Sequence, residues 1–100
     1  MPRRLSPVSE TERMKYVVIG EPSGASMDEL MAVYPRHKAL VDAFVERGEV
    51  VGIGPFEDRG NMAIFRSLEA AEAFVAQDPF ILEHLVASYR IRPWLDEMLD

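Results

Sequence analysis

Two side chains of this 100-residue chain could work together on a proton, His37 and Asp78. Imidazole is the side chain whose ordinary titration range spans neutrality, and a neighbouring carboxylate fixes its tautomer and raises its basicity. His37 stands three and four residues before Leu40 and Val41 on a helical apolar stripe, so it points inward. A lone inward histidine more often completes a core through a hydrogen bond than it catalyses. Asp78 precedes Pro79, and that pair is also the preferred N-cap and first position of a short helix, here Pro79 to His84. The residues alone leave both readings open, an acid/base pair or a core histidine and a helix cap.

Other chemistry-bearing residues carry weaker signals. Gly52 and Gly54 form a G-x-G with no helix behind it to aim amides at a phosphate, so dinucleotide binding is not supported. These glycines read as relief from crowding at a strand end that also lets a small molecule approach the backbone beside Pro55 and Phe56. His84 follows Glu83 near a helix end and reads as a surface residue. Two histidines with no shared spacing, and no cysteine, give no metal signature. Arg90 and Arg92 alternate along a strand, a pattern that is usually its polar face, and Trp94 after Pro93 reads as packing. Neither a Walker loop, a Ser-His-Asp pattern nor an aromatic nucleic-acid platform is present.

The elements that must position these residues follow from periodicity. Met14 to Gly20 (MKYVVIG) is a β-branched and aromatic strand closed by a turn-forming segment. From Met27 the period lengthens, and Leu30, Val33, Tyr34, His37, Leu40, Val41, Phe44 and Val45 recur at helical spacing until Gly48, a C′ glycine. Pro35 inside that pattern predicts a break in the helix. Glu49 to Gly54 and Asn61 to Arg66 read as a hairpin. Ser67 caps a helix whose buried stripe is Ala71, Phe74 and Val75, and Asp78-Pro79 stops it. Val86 to Arg92 alternates as a last strand, with Ala87, Tyr89 and Ile91 on one side.

The order β-α-β-β-α-β predicts an α+β, ferredoxin-like fold, a four-stranded antiparallel sheet with two helices on one face. Both faces of the sheet are apolar: Val17 and Ile19 oppose Tyr16 and Val18, and Met62 and Ile64 oppose Ala63 and Phe65. A face of such a sheet presents on the order of 300 Å², and leaving it wet forgoes roughly 8 kcal/mol. A second copy of the chain is the simplest cover, so a homodimer or higher homo-oligomer is expected.

Composition bounds the rest. Apolar residues make up 48% and charged residues 28% of the chain, an ordinary globular balance for one domain. The net charge of −6 repels a phosphate backbone, and the only basic cluster is Arg3-Arg4, so nucleic acid is not an expected partner. Residues 1–13 contain no apolar run fit for a signal peptide or membrane span and read as a flexible tail before a single domain over 14–100. The lack of cysteine suits a reducing compartment, and a cytoplasmic protein is expected.

From Met14 to Trp94 the chain resembles the YCII-related family of the dimeric α+β barrel superfamily. The likeness rests on the opening YVV strand, Pro35-Arg36-His37, the GEVVGIGPF segment, IFRSLEAAEAFVAQDPF and the closing RIRPW, in that order. The resemblance implies an enzyme-like cleft in which a histidine and an aspartate face each other, at positions matching His37 and Asp78. Members commonly carry an arginine just before the proline, where this chain has Tyr34, with Arg36 on the other side. Tyr34, Arg36, Gly54, Pro55 and Phe56 are thus the expected substrate-binding residues.

The expected function is a cofactor-independent acid/base enzyme of lyase, isomerase or hydrolase type acting on a small hydroxylated cyclic or aromatic molecule, with His37 moving a proton and Asp78 orienting it. Two alternatives stand beside it. One is a non-catalytic ligand-binding or assembly protein; the other, by fold analogy alone, is a cofactor-free monooxygenase.

Overall fold

The computed structural model describes residues 14–97. Strand β1 (Met14–Pro22) is followed by helix α1 (Met27–Glu46), β2 (Val50–Pro55), β3 (Asn61–Phe65), helix α2 (Leu68–Val75), a single turn α3 (Pro79–Leu82) and β4 (Val86–Leu95). All strand pairs are antiparallel and the order across the sheet is β2-β3-β1-β4, the ferredoxin-like arrangement. The tail expected over residues 1–13, and positions 98–100, lie outside the described residues.

Local chemistry fixes the helix ends. Ser26 and Glu29 form a reciprocal capping box: the Ser26 hydroxyl accepts from the Glu29 N–H at 3.1 Å and the Glu29 carboxylate accepts from the Ser26 N–H at 2.8 Å. At the other end Gly48 takes φ +75°, while the Glu49 N–H donates to the Phe44 carbonyl and the Gly48 N–H to that of Val45. This is a Schellman stop, which needs a residue without a Cβ penalty at that position. Ser67 caps α2 by accepting from the Ala70 N–H at 3.0 Å.

The break expected at Pro35 does not occur. Helix α1 runs uninterrupted for 20 residues with Pro35 inside it. Proline removes only the bond to the Met31 carbonyl, and Met31, Tyr34, Pro35 and Arg36 are all exposed, so the orphaned acceptor lies on the solvent side rather than in the core. The cost remains. Pro35→Ala should therefore raise stability by about 1–3 kcal/mol, seen as a higher urea midpoint at unchanged m-value.

The core lies between the helices and one sheet face. Phe44 from α1, Phe65 from β3 and Phe74 from α2 meet with ring centroids 5.2–6.1 Å apart, and Val18, Ala63, Ala70, Ala71 and Val75 close around them. Strand register sorts the faces. Val18 stands opposite Ala63 and Ile91 on the helix side, whereas Val17 stands opposite Ile64 and Arg92, and Ile19 opposite Met62 and Arg90, on the side without helices. Strand β4 continues past the expected end at Arg92 through Pro93, which is tolerated because β4 pairs only with β1 and its outer edge is open. Trp94, expected to pack, is 44% exposed on the helix-free side, where it borders Val17, Ile19, Met62 and Ile64.

Candidate functional site

Helix α1 carries His37 toward the start of α3, and the Asp78-Pro79 step that ends α2 carries Asp78 toward α1. Their side chains meet with Nδ1 and Oδ1 2.8 Å apart, across 41 positions of sequence. His37 is 16% and Asp78 6% exposed at the side chain. The same Asp78 Oδ1 accepts from the Phe80 N–H at 3.1 Å and so caps α3. One oxygen therefore makes both contacts, with the imidazole and with the cap amide. An ionised carboxylate can only accept, so in that form of Asp78 the bond places the shared proton on Nδ1 and leaves Nε2 as the acceptor nitrogen of a neutral ring. Three aromatic rings hold the imidazole plane: Phe80 stacks on it at 4.3 Å and 21°, Phe74 meets it edge-on at 6.2 Å, and Tyr34 lies at 6.1 Å.

The pair opens on a cavity of about 260 Å³ between α1, α3 and the helix side of the sheet. Met27, Met31, Tyr34 and His37 form its α1 wall, Asp78, Phe80 and Ile81 the wall opposite, and Val18, Ile53 and Ala63 its floor. Cavities of about 150 Å³ hold benzene, so this one has the volume of a single substituted ring. Its lining is predominantly apolar with a few polar groups, the usual make-up of a small-molecule site.

Of the residues expected at the site, Tyr34, His37, Gly54, Pro55 and Asp78 line this cavity. Arg36 and Phe56 are not among its lining side chains. Arg36 donates from Nη1 to Glu83 at 2.5 Å, a bond that holds the Glu83 carboxyl below its ordinary range and raises the Arg36 guanidinium. Phe56 is 45% exposed at the hairpin tip. The expectation that Gly52 and Gly54 relieve crowding is corrected: a Cβ at either would meet nothing within 4 Å, because β2 is an edge strand. The space beside Gly54 is open toward the cavity it lines.

Three residues escaped the reading of the sequence. Asn61 and Arg59 line the cavity from the β2–β3 hairpin, and Gly20 makes room for Asn61. A Cβ at Gly20 would sit 2.6 Å from Asn61 Oδ1 and 3.0 Å from Val86 Cγ1. Gly20→Ala should therefore displace Asn61 and cost on the order of 1–3 kcal/mol, measurable by chemical denaturation and by shifts of the Asn61 side-chain amide in an NMR spectrum. The hairpin is a three-residue loop in which the Phe56 N–H donates to the Gly60 carbonyl and the Arg59 N–H to that of Phe56. Arg59 occupies its left-handed position at φ +75°, where a side chain costs roughly 1–2 kcal/mol relative to glycine. Hydrophobic periodicity carries no information at that position; an arginine between Asp58 and Gly60 looks like any loop residue.

Residues 14–95 match the YCII-related domain family. This chain belongs to that family. The YCII-related chain is also similar to the proteins named YciI of Escherichia coli and of Shigella flexneri, each 24% identical over 94 residues, covering 81% of this chain and 96% of the relative. Among solved structures it is similar to TftG of Burkholderia phenoliruptrix, a 5-chloro-2-hydroxyhydroquinone dehydrochlorinase in complex with 2,5-dihydroxybenzoquinone. That likeness has a TM-score of 0.66 at 20% identity and covers 80% of this chain and 92% of the other. Among the described residues of this YCII-related domain, no three His, Asp or Glu side chains converge as a metal site would need, and no helix is long and apolar enough to cross a membrane.

Proposed function

We propose that this YCII-related protein is a small-molecule enzyme that moves protons on a hydroxylated ring, with His37 as the acid/base group and Asp78 as its orienting carboxylate. The observation that carries this reading is the 2.8 Å His37–Asp78 contact at the wall of a ring-sized cavity. Asp78 holds Nδ1–H, so Nε2 takes a proton from a ring hydroxyl or an activated ring C–H and returns it to another atom or a departing group. The stacked Phe80 and the apolar walls restrict water, which strengthens every electrostatic contact of the bound molecule. Elimination, isomerisation and hydrolysis all run on such a relay without a cofactor. The ring chemistry named for TftG is of this type and favours a polyhydroxylated aromatic substrate here as well.

The direct test is anaerobic exchange of the ring C–H protons of hydroxyhydroquinone in deuterated buffer, followed by NMR. Acceleration by the wild type that is absent with His37→Asn is the expected result. Exchange no faster than in buffer, or equally fast with the variant, rejects the assignment.

We further propose that the working unit is a homodimer joined through the helix-free sheet face. Support comes from the register, which places Val17, Ile19, Met62 and Ile64 together on that face with Trp94 at its border. Two sheets packed face to face about 10 Å apart interdigitate such side chains.

A further inference from the structure

We infer that the substrate carries an anionic oxygen and that Arg59, seconded by Asn61, is the residue that selects it. This rests on the cavity beside His37 being the substrate site. Arg59 is the one cationic side chain among the residues lining that cavity, and it enters from the hairpin rather than from α1 or α3, which supply His37 and Asp78. Among the described residues its only hydrogen bond is from Nη1 to the neutral Ala25 carbonyl at 3.4 Å, which tethers the guanidinium to the β1–α1 loop and uses one of its five donors. Arg36 and Arg47 are matched to carboxylates, Glu83 and Glu49, whereas Arg66, like Arg59, bonds a backbone carbonyl, that of Gly48, but lies away from the cavity. Asp58, next to Arg59 in sequence, gives Oδ1 to the Gly60 N–H, and Asp58, Arg59 and Ala25 together line a second, more polar cavity, so Arg59 stands between the two cavities.

A guanidinium without a carboxylate partner, at the rim of an apolar cavity in a chain of net charge −6, is a selective anchor rather than part of a general positive field. Its planar fork suits the two oxygens of a carboxylate, or an ionised ring hydroxyl beside a second oxygen. Asn61 adds an amide that can donate to the same group, and Gly20 is what allows it to stand there. The backbone supports the assignment independently. Arginine occupies a left-handed position that glycine would fill without strain, a retained cost that fits a side chain used beyond folding, although His84, which does not line the cavity, is left-handed too at φ +62°.

Benzoate and benzamide, matched in shape and different in charge, test this by ligand-detected NMR titration, with para-nitrophenolate added to tell an ionised hydroxyl from a carboxylate. Wild type should prefer benzoate by about tenfold or more, the loss expected when a charge-assisted pair is missing. Arg59→Gly, which suits the left-handed backbone, should erase that preference while raising the melting temperature. His37→Asn should keep the preference, so the anion site and the acid/base reading fail separately. Equal binding of the two probes by wild type, binding of neither at millimolar concentration, or a preference that survives in Arg59→Gly but vanishes in His37→Asn overturns the proposal.

Discussion

His37→Asn should lower turnover by about a hundred- to ten-thousandfold, the usual share of a general acid/base group, while the fold survives. Asparagine can still bond to Asp78, and the loss of stacking on Phe80 should cost on the order of 1 kcal/mol. The double role of Asp78 Oδ1 separates two further variants. Asp78→Asn keeps an oxygen for the Phe80 N–H and for Nδ1, so it should fold with a loss of about 1 kcal/mol or less, yet turn over poorly because the charge that steadies a protonated imidazole is gone. Asp78→Ala removes the cap and leaves a half-buried ring nitrogen unpaired, which should cost roughly 2–4 kcal/mol in addition. Rates read beside urea midpoints distinguish the outcomes. A turnover loss that merely tracks the stability loss across the three variants would make the pair structural and return the protein to a binding or assembly role.

Ile64→Lys should convert the proposed dimer to monomers. Ile64 stands beside Val17 on the helix-free face, at the centre of the sheet, and the two-fold axis of a symmetric pair would bring both copies of the new charge into one apolar interface. Burying two unpaired ammonium groups costs several kcal/mol each, a total on the order of what a face of this size returns. Sedimentation of the wild type at micromolar concentration should report at least twice 11.3 kDa, and the variant 11.3 kDa. A monomeric wild type would remove the proposal, and the apolar face would then need another cover. The His37–Asp78 contact lies on the opposite side of the sheet, so its geometry should survive in the monomer.

The polymer pattern alone determined much of the architecture. The β-branched and aromatic run in MKYVVIG and helical spacing from Leu30 to Val45 are one-dimensional signals, and they gave the element order and the apolar character of both sheet faces. Cap residues were equally readable, since Ser67, Gly48 and Asp78 act on backbone groups only a few residues away. Pro35 misled because its cost depends on where the orphaned carbonyl faces, and that is a property of the packed helix. The family likeness, rather than the spacing, pointed to His37 and Asp78 as a pair.

Distance across the chain was what the tertiary structure decided. Whether Asp78 caps α3 or holds His37 was an open choice in one dimension; in three, a single oxygen within reach of both the Phe80 amide and the imidazole does both. The partner of Arg36 was decided the same way, by Glu83 standing within reach of its guanidinium. Arg59 and Asn61 belong to the cavity only because the β2–β3 hairpin folds over the end of β1, where Gly20 leaves a gap the width of a side chain. Short-range preferences fix each segment. A site built from a helix, a hairpin and a turn is fixed by how those segments pack.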